Sequence, residues 1–294
     1  AYLEKTEWVI DSIAYPDRRG QTRKKITARP LYAASFADEL LFNKADRVLV
    51  MSATILDVAT WARNLGLDPA EIAHVQTPCD FPVANRPIRL EYAGNMGRKW
   101  FSPEQNPKDP TEPKFVAKVQ QILTRHAGQR GIIHCHSFTL AEVLRQHVAS
   151  PRFLFQDHFA GDKRLMLAEL ERRPDAVIVA PAMHEGVDLR GELSRFQIIA
   201  KIPWADLSDK VVKERADRDP RWYAWTTAIK IVQSYGRSIR SSEDFAYTYI
   251  LDSGFSGFLS RWGSMLPGWF KAALQQYPPA KIRRDVPPDG TPPS

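Results

Sequence analysis

The chain has 294 residues, 44% of them apolar and 26% charged, with 41 lysines and arginines against 34 acids and a net charge of +7. That length and balance fit a two-domain globular protein, and the lack of a long uncharged apolar run excludes a transmembrane span. Two cysteines, Cys79 and Cys135, exclude a disulfide framework and offer no metal-ligand spacing, so no metal is expected on the chain itself. A reducing, cytoplasmic setting follows as the default, because no signal peptide opens the chain. The positive surplus favours a polyanionic partner. It is scattered, with small clusters at Arg18-Arg19, Arg23 to Lys25 and Lys281 to Arg284.

In chain order, Glu7–Ile10 and Lys25–Ala28 read as short strands around a turn at Tyr15–Gly20, and Ala33–Asn43 reads as a helix. Arg47–Met51 reads as a short buried strand leading directly into Ser52-Ala53-Thr54. Residues 57–66 are helical, with Gly66 as the stop. Thr77–Pro87 is Pro-rich and extended, and it leads into a strand at Ile88–Tyr92. Prolines at 103, 107, 110 and 113 make the Gly94–Pro113 stretch a loop.

From Lys114 onward, apolar strand-like runs alternate with amphipathic helices. Helices are expected at Lys114–His126, Ser137–Ala149 and Gly161–Arg173, with strands at Arg130–His136, Phe153–Asp157, Ala176–Pro181 and Phe196–Ile202. A helical region from Ser208 to Arg240 precedes a last strand, Phe245–Leu251, and an aromatic-rich terminal helix near Gly254–Lys271. This alternation predicts an α/β fold, a mostly parallel sheet with helices on both faces. The Pro- and Gly-rich end, 276–294, is expected to be a disordered tail.

Three strings carry chemistry. On a helix, Gln233, Arg237 and Arg240 fall on one face, with Gly236 removing bulk beside Arg237. Paired guanidiniums suit a phosphate, because each planar fork donates two parallel hydrogen bonds. Met183-His184-Glu185-Gly186-Val187-Asp188 follows the strand at 176–181, at the edge where ligands of doubly wound sheets sit. Ser52-Ala53-Thr54 sets two hydroxyls beyond an earlier strand. The pair His134 and His136 shares one strand face, but no third ligand stands at a telling spacing.

Together these strings resemble motifs III, V and VI of superfamily 2 helicases in the form used by the DinG/XPD-like group, in the right order over roughly residues 30 to 255. The resemblance implies two RecA-like lobes (P-loop NTPase-type folds). Residues 1–56 would be the C-terminal remnant of the first lobe, 57–113 the inter-lobe passage and loop, and 114–275 the second lobe. It implies Arg237 and Arg240 as arginine fingers on the γ-phosphate of ATP, with Gln233, Gly236, Glu185, Gly186 and Asp188 at the nucleotide. Ser137, Phe138 and Thr139 match motif IV and, with His184 and Lys201, would bind nucleic acid. Ser52, Ala53 and Thr54 would couple the two sites. Trp204 and Tyr235 either stack on bases or pack internally.

No G-x-x-x-x-G-K-[ST] string occurs, and Asp38-Glu39 is followed by two leucines rather than the residues of a D-E-x-H string. The expectation is therefore the C-terminal half of an ATP-dependent DNA helicase. Its partners would be single-stranded DNA and an N-terminal half that holds most of ATP and Mg²⁺. The cysteines of the iron–sulfur cluster carried by some relatives would lie outside this chain, and no membrane partner is expected. The alternative is a non-catalytic nucleic-acid-binding or adaptor module with a helicase-like lobe.

Overall fold

A computed structural model describes residues 7–17, 19–181 and 189–275. They fall into two units. The first takes the described residues up to Gln76 together with Trp204–Ile229, and the second takes Thr77–Pro203 together with those from Lys230 onward. Among the described residues no helix is long and apolar enough to cross a membrane.

In the first unit, strands β1 (Trp8–Pro16) and β2 (Thr22–Pro30) form an antiparallel hairpin in register from Trp8↔Pro30 to Pro16↔Thr22. Asp17 shapes its turn by accepting the backbone N–H groups of Arg19 and Gln21, and Gly20 supplies the positive φ of 75°. Helices α1 (Ala34–Leu40) and α2 (Val58–Asn64) follow. The strand expected at Arg47–Met51 does not form. Leu49 and Met51 are about four-fifths exposed, at 81% and 82%, and no strand among the described residues pairs with them. An apolar run becomes a strand only where neighbours take its backbone hydrogen bonds.

The second unit is built on one sheet. In chain order its strands are β3 (Ile88–Gly94), β4 (Gly131–His134), β5 (Phe153–Phe155), β6 (Val177–Ala180), β7 (Phe196–Ile199), β8 (Tyr247–Asp252) and β9 (Leu274–Gln275). They lie in the order β5-β6-β4-β7-β8-β3-β9, and every pairing is parallel. This is the α/β RecA-like fold. Strand β3, from the stretch read as a passage, lies between β8 and β9 in this sheet. The expected loop after it holds the short helix α3 (Arg98–Phe101), which buries Phe101.

Alternation along the strands divides the core. Ile133, Val177, Val179, Ile198 and Tyr249 face helices α4 (Glu112–Arg125) and α5 (Phe138–Val143). Ile132, Leu154 and Ile178 face Met166 and Leu170 of α6 (Lys163–Arg172). Burial on both faces is why the strands read as continuous apolar runs. A π-helical turn, Leu144–Val148, extends α5 and ends at Ala149 in the left-handed conformation. Helices α7 (Lys210–Arg218) and α8 (Pro220–Tyr235) precede β8, and α9 (Gly254–Trp262) and α10 (Gly268–Ala273) follow it.

Two close approaches fix the middle of the sheet. A Cβ on Gly131 would meet the Phe196 ring at 2.5 Å, so only glycine lets that ring lie across β4. The same ring stacks on His126, at 4.5 Å between centroids. His126 is buried between Gln129 Oε1 at 2.7 Å and the Tyr249 hydroxyl at 2.8 Å. Burial, aided by the nearby Arg125 guanidinium, pushes its imidazole down from the ordinary 6.5 to about 4.

The unfolded chain takes up a proton at His126 near pH 6.5, whereas the fold refuses it until about pH 4. The contribution is therefore complete above pH 6.5 and is lost as pH falls through that window, by ~3 kcal/mol. Urea midpoints measured from pH 7.5 to 4.5 should fall for the native chain. They should fall less steeply for His126→Gln, and an unchanged slope would contradict the assignment.

Candidate functional site

Because all strands of the sheet run the same way, their C-terminal ends share one edge, and the strand-end segments of β4, β6, β7 and β8 emerge there. At the end of β4, His136 adopts a left-handed φ of 49°, and Ser137 caps α5 by accepting the Leu140 N–H at 3.4 Å. Ser137 thus uses its hydroxyl within the protein. Phe138 and Thr139 are exposed, Phe138 by 75%. Both line a cavity of about 810 Å³ with Gln146, Phe155, Gln156 and Pro181. Arg145 flanks it, paired with Asp157 at 2.8 Å and lying 4.1 Å over the Phe155 ring. His134 is buried and stacks on His136, whose Nε2 lies 3.3 Å from Ser234 Oγ. Among the described residues, no three His, Cys, Asp or Glu side chains gather as a metal site.

The end of β6 leads into Ala182 to Asp188, so His184, Glu185, Gly186 and Asp188 lie outside the described residues. At the end of β7, Lys201 is half-buried, and the next N–H, from Ile202, donates to Asp252 at 3.0 Å. Asp252, at the end of β8, also accepts from Met96 N–H at 3.3 Å and Gly254 N–H at 2.9 Å. One carboxylate thus gathers three segments of this edge.

The arginine stretch departs from the single helical face expected for it. Helix α8 stops at Tyr235, two residues short of Arg237. Gly236 N–H makes the last long helical bond, to Val232 O at 2.9 Å, and Arg237 N–H tightens onto Ser234 O at 3.3 Å. Side chains from β7 and its approach take over where the helix would have continued. Gln197 donates to the Tyr235 carbonyl at 2.7 Å and to Thr248 Oγ1 at 2.8 Å. The Ser238 hydroxyl pairs with that of Ser194 at 2.6 Å. Gln233 is half-buried on the last helical turn, Arg237 is half-exposed beyond it, and Arg240 is exposed. A Cβ at Gly236 would touch only helix carbonyls, the nearest at 3.4 Å.

Residues outside the arginine string hold this turn. The Asp244 carboxylate accepts the N–H groups of Arg240 (2.8 Å), Ser241 (3.0 Å) and Gly191 (3.1 Å). Asn85 donates to the Ser242 carbonyl at 3.0 Å. Arg86 is buried with its cation on the Trp269 and Phe81 carbonyls, and the Tyr235 hydroxyl donates to the Arg86 carbonyl at 2.7 Å. Tyr235, 2% exposed, packs internally against Trp269 and Phe270. Only the acid of Ser241-Ser242-Glu243-Asp244, placed just before a strand, hinted at a turn anchor.

In the first unit, Ser52 and Ala53 are exposed, and Ser52 Oγ accepts the Thr54 N–H at 3.2 Å in a local hydroxyl turn. The next residues are tethered. Trp225 Nε1 donates to the Ile55 carbonyl at 2.9 Å, and Asp57 caps α2 while pairing with Arg221. Trp204 stacks on Tyr223 at 4.9 Å and stays 39% exposed.

A family model described as the helicase C-terminal domain matches residues 119–273, just over half of the chain. The chain is 24% identical over 272 residues to the ATP-dependent DNA helicase YoaA of Escherichia coli, covering 87% of this chain and 39% of that protein. It is 22% identical over 255 residues to the probable ATP-dependent helicase MJ0942 of Methanocaldococcus jannaschii, covering 80% and 38%. The chain thus spans about two fifths of the length of the curated relatives it matches. A solved XPD helicase shares the fold with a TM-score of 0.57 at 13% identity, over 86% of this chain and 47% of that one.

Removing Gln197 leaves the Tyr235 carbonyl and the Thr248 hydroxyl without their buried donor. Gln197→Leu should cost about 1–3 kcal/mol of stability in urea unfolding. It should also speed amide exchange over 235–238 relative to the rest of α8, and uniform exchange along the helix would argue against this anchoring.

Proposed function

Because the chain belongs to the helicase C-terminal domain family, we propose that it is the C-terminal half of an ATP-dependent DNA helicase or translocase of the DinG/XPD-like group. The observation that carries this reading is the arginine turn. Arg237 and Arg240 leave the end of α8 on the turn that precedes β8, on a backbone pinned by Gln197, Ser194 and Asp244. Guanidiniums on a fixed base suit charge that develops on a transferring γ-phosphoryl group, because the donors need no reorganisation when the charge appears. In this reading Arg237 and Arg240 are the fingers, and Gln233 and Gly236 border the nucleotide. Glu185, Gly186 and Asp188 join it from the loop after β6.

Bound ATP would supply the phosphoryl group, and Mg²⁺ would neutralise charge on its oxygens. In this reading the metal's ligands are assigned to an N-terminal half. This chain's own residues then bind and orient the γ-phosphate. The single-stranded DNA track is assigned to Ser137, Phe138, Thr139, His184 and Lys201, with Ser52, Ala53 and Thr54 as the coupling element. For Ser137 the contact would come from backbone N–H groups at the start of α5, since its hydroxyl is engaged in the cap. Exposed Phe138 offers a face on which any base can stack.

In the full-length protein, ATP hydrolysis should be stimulated by single-stranded DNA. Arg240→Ala should lower kcat by ~10³-fold or more while DNA affinity persists. Unchanged turnover would remove the finger role, and DNA binding with no turnover in the native protein would favour an adaptor. On the DNA side, Phe138→Ala should weaken binding by ~1–3 kcal/mol and leave the salt slope intact. Lys201→Ala should shrink that slope by about 0.7. Fluorescence anisotropy across a salt series separates the two, and identical behaviour of both variants would contradict these roles.

A further inference from the structure

We propose that Asp244 is the positioning residue for Arg240, and that its carboxylate ties the arginine turn to the segment at Gly191 so that the two move as one. This rests on the reading of Arg240 as an arginine finger. Asp244 is 9% exposed, and each of its oxygens has a separate task. Oδ2 accepts the backbone N–H groups of Arg240 at 2.8 Å and Ser241 at 3.0 Å. Oδ1 accepts the Gly191 N–H at 3.1 Å, across 53 positions of sequence. The Asp244 N–H returns to the Ser241 carbonyl at 3.3 Å, closing a tight ring around the carboxylate.

A second bond, Ser194 Oγ to Ser238 Oγ at 2.6 Å, joins the same two segments. Ile239, between the two ties, is 7% exposed. The base of Arg240 is therefore fixed from both sides while its side chain is exposed. Gly191 has a positive φ of 55° and opens the short turn Gly191–Leu193. Asp244 thus bridges the arginines and the chain that follows the Glu185–Asp188 stretch. A shift on either side is passed to the Arg240 backbone through one rigid carboxylate rather than through flexible side chains.

A carboxylate is needed because three N–H groups must be accepted by two oxygens. An asparagine can keep one arm, but its amide nitrogen then faces an N–H on the other. An alanine keeps neither.

The test measures DNA-stimulated ATP hydrolysis by the full-length protein and amide exchange in the same variants. Asp244→Ala should lower kcat at least ~10-fold, with KM for ATP and DNA affinity within about twofold, and Asp244→Asn should fall between it and the native protein. In an Arg240→Ala background, Asp244→Ala should bring no further loss of turnover, because its effect passes through that arginine. A multiplicative loss in that background would overturn the proposal. Exchange at Arg240, Ser241 and Gly191 should quicken together in Asp244→Ala, and retained protection at Gly191 would refute the tie. If Arg240→Ala leaves turnover untouched, the finger reading fails and the positioning role falls with it. Native turnover in Asp244→Ala beside a dead Arg240→Ala would remove the positioning role alone. Asp244→Asn keeps the test open if the alanine variant does not fold.

Discussion

A parallel sheet covered on both faces has nowhere to show polar groups except at its ends. Here the seven strands all point the same way, and α4, α5 and α6 bury both surfaces of the strands they cover. Residues that could meet a ligand therefore stand at the ends of the strands, in the segments that enter and leave them. Ser137 to Thr139 and Lys201 follow the C-terminal ends of β4 and β7, whereas the arginine turn is tied to the residues that open β7 and precede β8. Their arrangement follows from strand direction before any side-chain detail is considered.

What the sheet cannot fix, buried polar groups do. Gln197, Asp244, Asp252 and Arg86 each place at least one hydrogen bond on a backbone atom of a segment far away in sequence. Such groups are costly to leave unsatisfied, so each specifies one arrangement of the loops it touches. The loops at the ends of the strands are thereby preorganised. The first unit contrasts with this. Its hairpin exposes Ile10 and Ile26, and its Val48–Met51 run finds no partner strand among the described residues.

Strands of the second unit were legible because burial on both faces leaves uninterrupted apolar runs, as in Ala176–Pro181 and Phe196–Ile202. Their parallel order followed from the helices between them. The string Gln233, Arg237 and Arg240 stood out too, since these residues are polar where a core helix should be apolar. Their geometry was not legible. Helical periodicity placed the three on one face, whereas bonds from Gln197 and Ser194, some 40 residues away, end the helix first. Arg47–Met51 failed for the converse reason, because composition reports the wish to be a strand and says nothing of a neighbour. Gln197 escaped notice because a single amide carries no pattern, and Asp244 stood only as the last residue of the Ser-Ser-Glu-Asp string that ends the helix. Only the fold shows which backbone groups they serve.

The contact between Gly131 and Phe196 constrains how this sequence can drift. The ring occupies the volume a Cβ would need, and its other face rests on His126. Neither position can change first without loss. A side chain at 131 collides with the ring, and a smaller residue at 196 leaves a void beside an uncharged imidazole. Lineages that cross this gap must pass through a weakened intermediate or change both positions at once. The pair is expected to covary among homologues, with glycine at one site wherever an aromatic ring fills the other.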